Sequence, residues 1–149
     1  MALRAQIRAI AVALLFASAP VWAADSGKTH HISIQVDGPD TGVMNMVLNN
    51  ILNIYSYYHA RNEVVDIELV AFGPGLAMLR DDISPVKDRI KTMKAEHPGL
   101  VLSACENSRR AMSQAEGKEV AILPEAMAVP AGVVRLSELQ EQGWTYLRP

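Results

Sequence analysis

The sequence predicts an α/β fold: a mostly parallel five-stranded sheet with helices on both faces. Three observations predict it. Short apolar runs alternate with stretches of helical periodicity in the order β-α-β-α-β-α-β-α-β, and strands joined through helices pair in parallel. Four of the strand candidates end in small or turn-forming residues, at Asp37, Gly73, Cys105 and Gly132; in a parallel sheet such ends share one edge. No internal repeat, low-complexity stretch or linker interrupts the pattern, and the length suits one domain.

The chain opens with the features of a secretory signal peptide. Arg4 and Arg8 form a positive region, Ile10 to Ala17 an apolar core, and Ser18 to Ala23 a cleavage region with Val21 and Ala23 at the small-residue positions. The apolar core is short for a membrane span. Cleavage is expected after Ala23, which leaves residues 24–149 as a single domain with a bacterial periplasm as its destination.

Ile32, Ile34 and Val36 alternate and mark the first strand, from His30 to Val36. Neighbouring residues on a strand point to opposite faces, so His30 and His31 make a poor chelating pair and read as surface residues. The turn Asp37 to Gly42 leads into a long helix, Val43 to Ala60, which Asp40 or Thr41 can cap. Met44, Val47, Leu48, Ile51, Leu52, Ile54, Tyr55 and Tyr58 form its apolar face. Asn45, Asn49 and Asn53 recur on the other side, and Asn50, Met46 and Tyr57 form a mixed flank. That flank is either a subunit contact or ordinary surface. Asparagine is a poor helix former, so some other interaction must compensate for the asparagines.

The second strand, Glu63 to Phe72, alternates early and is continuously apolar at its end. It terminates in Gly73-Pro74-Gly75, a strand-to-helix junction whose glycines allow positive φ and close backbone approach. The lysine and spacing of a phosphate loop are missing. Ser84 and Pro85 have the pattern of a helix cap and first position. Val86, Ile90 and Met93 form the next apolar line, and His97-Pro98-Gly99 ends that helix.

Leu100 to Ala104 is a short apolar run that passes into a helix from about Glu106 to Glu116, stopped by Gly117. Cys105, the one cysteine of the chain, sits at the turn. Free N–H groups and the dipole at a helix start favour a thiolate, the nucleophilic form. The opposite reading also stands, since free cysteine is often buried and inert. Arg109 and Arg110 either support the thiolate or lie in solvent. Val120 to Pro124 is a connection with a short helix or turn. Ala126 to Pro130 is the fourth strand. Val133 to Gln142 is helical in its second half, with Ser137 and Gln140 at capping-box spacing. Trp144 to Pro149 holds a short final strand.

Composition narrows the function. The chain carries 14 Lys and Arg against 16 Asp and Glu, and losing Arg4 and Arg8 makes the mature chain more acidic still. That disfavours nucleic acid or an anionic membrane surface as partner. One cysteine makes no internal disulfide. The four histidines show no ligand spacing with Cys105, and neither a nucleophile elbow nor a dinucleotide fingerprint is present. No metal or cofactor is expected.

The segments Ala71-Phe72-Gly73-Pro74-Gly75-Leu76, Ser103-Ala104-Cys105-Glu106-Asn107-Ser108 and Pro130-Ala131-Gly132-Val133-Val134, with the ending Glu138 to Pro149, resemble the DsrE/DsrF-like family, and most closely its small exported single-domain branch. The resemblance runs from about His30 to Pro149. It implies a three-layer α/β/α sandwich, a flavodoxin-like arrangement, assembled into trimers or hexamers. In the sulfur-relay members a cysteine at the end of a central strand accepts sulfane sulfur as a persulfide and passes it on, and Cys105 matches that position. The relay members are cytoplasmic, whereas this chain carries an export signal. The expected function is therefore a periplasmic sulfur carrier with Cys105 as acceptor. Asp37, Gly73, Gly75, Asn107 and Gly132 would line its loop pocket, and proteins or small molecules bearing thiols and persulfides would serve as donor and acceptor. The alternative is an oligomeric binding or scaffold protein with a structural cysteine.

Overall fold

The computed structural model describes residues 27–149; the expected signal peptide at 1–23 and its cleavage site lie outside them. Among the described residues five strands are present: β1 (Thr29–Val36), β2 (Val64–Ala71), β3 (Val101–Cys105), β4 (Met127–Val129) and β5 (Thr145–Leu147). Four α-helices join them: α1 (Thr41–His59), α2 (Lys87–Glu96), α3 (Glu106–Glu116) and α4 (Gly132–Glu141). The sheet order is β4-β3-β2-β1-β5, and every pair is parallel.

The order of strands sorts the helices. The chain steps in one direction from β1 to β4, and right-handed crossovers then place the connecting helices on one face. From β4 it returns past β1 to β5, which sends α4 to the other face. Packing agrees with this. Ile67, Leu69 and Ala71 of β2 share one core with Met44, Val47, Leu48 and Ile51 of α1, with Ile90 and Met93 of α2, and with Met112 of α3. Val70, between them and pointing the other way, packs with Leu136 and Leu139 of α4 beside Phe72 and Trp144. The result is the three-layer α/β/α sandwich, with a large core under three helices and a small one under α4.

Local chemistry explains the main elements. The Asp40 carboxylate accepts the Val43 N–H at 2.7 Å and starts α1. Arg89 of α2 donates to the side-chain oxygens of Asn45 and Asn49 on α1. That bridge accounts for two of the four asparagines on this helix. Gly117 stops α3 in the left-handed conformation, at φ +64°.

Two expectations need correction. Ser84 does not cap a helix: α2 begins at Lys87, and the Ser84 hydroxyl instead donates to the Met78 carbonyl. Ser137 lies inside α4, which is helical from Gly132 onward, so the spacing to Gln140 is no capping box. Of the two forms expected for the Val120–Pro124 connection, the turn is present, at Pro124 and Glu125, and an antiparallel bridge joins Ile122 to Arg80 just before it. The Gly73–Leu79 stretch after β2 is a 3-10 helix.

Candidate thiol site

Cys105 ends β3 and is the N-cap residue of α3. Its Sγ accepts the Ser108 N–H at 3.5 Å, as a capping oxygen would. β3 pairs with β4 at Cys105 and Val129. Pro130 and Ala131 follow Val129, and α4 begins at Gly132. The starts of two helices therefore converge on one sulfur. Pro130 ties the two loops together, its carbonyl accepting the Asn107 N–H at 3.3 Å.

The thiol is buried, with 4% of its surface exposed. Burial pushes its pKa up. The Ser108 hydroxyl and the N–H groups of Gly132, Ser108 and Asn107 pull it down, and together they outweigh burial, so the thiol lies below its ordinary value. Among the described residues no cation takes part. Arg109 is held by Glu106 at 2.8 Å and reaches Glu119 and the Val120 carbonyl, while Arg110 donates to the Asn107 side chain. Arrays of N–H groups at helix starts stabilise anions without a counterion. The chemistry available here is that of a shielded thiolate nucleophile.

Ser108 is the residue that sequence reasoning left out of the site. Its Oγ accepts the Gly73 N–H at 2.7 Å while its hydroxyl bears on Cys105 Sγ. It thereby links the end of β2 to the thiol. The Cys105-x-x-Ser108 spacing, that of an N-cap and its third helical residue, was the signal available.

The other predicted site residues divide. Gly73, Asn107 and Gly132 gather with Cys105. Gly73 has φ +51°, and a side chain at Gly132 would press into Phe72, 2.8 Å from its Cβ. Gly75 lies behind them, packed so closely on the Val36–Asp37 peptide that a Cβ would lie 2.6 Å from the Val36 carbonyl carbon; its role is backbone fit. Asp37 does not join the thiol, because its carboxylate pairs with Arg148 at 2.8 Å near the C-terminus. A groove of about 480 Å³ runs from Gly73, Pro74 and Ser108 along Ala111, Met112 and Ala115. It is one open space next to the thiol loops; another lies along Val129, Pro130 and Ala131.

The histidines lie elsewhere. His30 stacks on Tyr58, with ring centroids 3.9 Å apart, and meets Glu63 at 2.7 Å. His31 meets Asp66 at 3.2 Å, and His97 stacks on Tyr55. Among the described residues no three of His, Cys, Asp and Glu converge as a metal site.

Neither a protein-family model nor a curated protein matches the sequence. Among solved structures the chain is similar to MTH1491 from Methanobacterium thermoautotrophicum, a protein of unknown function. The two share 26% identity with a TM-score of 0.69, over 80% of this chain and 99% of that one. The likeness agrees with the α/β architecture and carries no activity with it.

Proposed function

We propose that the chain is an exported carrier of sulfane sulfur of the DsrE/DsrF-like kind, with Cys105 as the persulfide acceptor. One observation carries this reading: a buried thiol whose pKa is lowered by N–H groups from two helix starts and by the Ser108 hydroxyl, without a cation. In the first step the Cys105 thiolate attacks the outer sulfur of a donor R–S–SH. A new S–S bond forms on Cys105, the donor S–S bond breaks, and the donor leaves as R–SH with the proton. In the second step an acceptor thiolate takes the outer sulfur and returns Cys105 to the thiolate. Oxidation states balance, so no external oxidant is needed. The chain has no second cysteine, so the acceptor thiol comes from another molecule.

Oligomerisation belongs to the same reading. Met127 and Val134 are each more than half exposed and line one groove along β4, an edge strand. Apolar residues beside an unpaired strand edge suit a subunit contact. The second reading, a scaffold with a packed cysteine, draws on the 4% exposure of Cys105. Sulfur transfer from a small persulfide donor to a small acceptor thiol separates the two. The carrier reading expects the protein to speed the transfer and Cys105→Ser to abolish the effect. Equal rates with wild type, the variant and no protein would leave the scaffold reading.

A further inference from the structure

We infer that the buried cluster of Glu68, Ser103 and Arg135 is a positioning device that holds the start of α4 against Cys105. The inference rests on Cys105 as the reactive group. Glu68 lies in the middle of β2 and is 2% exposed. Its Oε1 accepts from the Ser103 hydroxyl at 2.6 Å and from Arg135 Nε at 2.7 Å, and its Oε2 accepts from Arg135 Nη2 at 2.7 Å. Among the described residues the only other carboxylate on Arg135 is Glu138, at 3.7 Å and exposed.

The connectivity gives the cluster its role. Ser103 precedes Cys105 by two residues on β3, so it points to the same face of the sheet. Arg135 follows Gly132 by three residues on α4, less than one turn away. One carboxylate thus fastens the strand that carries the thiol to the helix whose first N–H bears on it. The buried apolar grip of α4 is small, Leu136 and Leu139 on Val70 beside Phe72 and Trp144. Apolar contacts of this kind tolerate sliding, whereas a two-point guanidinium–carboxylate pair sets direction as well as distance. A buried ion pair is also a poor source of net stability compared with apolar packing. A charged pair at this place is better explained by registration of the helix than by stability.

The sign of a pKa change separates positioning from simple charge. Glu68→Gln removes a negative charge near the thiol. By field alone that would lower the thiol pKa; by loosening α4 it would raise it. The experiment titrates the ultraviolet absorbance of the thiolate, with Cys105→Ser as the blank, in wild type, Glu68→Gln and Arg135→Lys. Circular dichroism checks the fold of each. Both variants are expected to raise the midpoint by about half a unit to one unit, a fall of about three- to tenfold in thiolate at pH values below both midpoints. An unchanged or lowered midpoint in folded Glu68→Gln would overturn the inference. Loss of fold in both variants would also overturn it, since the cluster would then serve the whole fold. Sulfur loading is scored separately. A wild type that titrates low but takes up no sulfur counts against the carrier reading alone. Wild type that loads sulfur beside a Glu68→Gln variant of unchanged midpoint counts against the positioning role alone.

Discussion

Removing the Ser108 hydroxyl should change two properties at once, through its hydrogen bond with the Gly73 N–H and its influence on Cys105. In Ser108→Ala the Gly73 N–H loses its 2.7 Å acceptor, and an unsatisfied, partly buried donor costs about 1–2 kcal/mol of stability. The thiolate loses the largest of the influences that lower its pKa. Hydrogen bonds to a charged group contribute about 1.5–3 kcal/mol. Water from the adjoining groove replaces part of that, which leaves a rise of about one pKa unit. The direction is fixed: losing a donor to the thiolate raises the pKa and depletes the thiolate below it. Alkylation of Cys105 by iodoacetamide should therefore be about tenfold slower in the variant at pH values below both midpoints and equal to wild type well above them. Ser108→Thr, which keeps the hydroxyl, should stay close to wild type. A rate–pH profile in Ser108→Ala that overlays wild type, in a variant shown to be folded, would refute the assignment of Ser108 to the thiol.

Other perturbations probe the frame around the site. Gly75→Ala places a Cβ against the Val36–Asp37 peptide, which cannot rotate away, so it should cost about 3 kcal/mol or more and lower Tm by about 10 °C. Little or no change in Tm would show that the close approach is not needed. Arg80 is 4% exposed and bonds both Asp82, at 2.8 Å, and Glu116; Arg80→Met should cost about 2–3 kcal/mol by urea unfolding. The same arginine holds the Asp82 and Glu116 carboxyls below the usual carboxylate range. Their contribution is present above their unfolded values near about pH 4 and lost as pH falls through the lowered folded values, and Arg80→Met should flatten that acid limb. The lowered Cys105 thiol gives a matching basic limb. Wild type should gain stability over Cys105→Ser as pH rises from the folded midpoint to about 8.5, and a constant difference between pH 7 and 9 would contradict it.

Much of the fold was legible because apolar periodicity is local. Ile32, Ile34 and Val36 announce a strand, and the face from Met44 to Ile51 announces a helix, wherever they sit. The caps were less legible, since Ser84 and Ser137 carry capping chemistry but the path of the chain decides who uses it. Ser84 is drawn to the Met78 carbonyl, and Ser137 lies within a helix already begun at Gly132. The site was legible where it is made by backbone at strand ends, at Gly73, Cys105 and Gly132. It was illegible where it depends on distant pairing. Nothing near Asp37 in sequence points to Arg148, and Asp66 and Glu68 alternate with Ile67 and Leu69 as though both faced solvent. The return of α4 across that face buries Glu68 and supplies Arg135.

The central claim, that Cys105 carries sulfur, is tested most directly by the intact mass of the mature protein before and after incubation with a small-molecule persulfide, with Cys105→Ser alongside. The account predicts a gain of one sulfur atom per chain that a reducing agent removes and that the variant lacks. No gain in folded wild type, or an equal gain in Cys105→Ser, would contradict it.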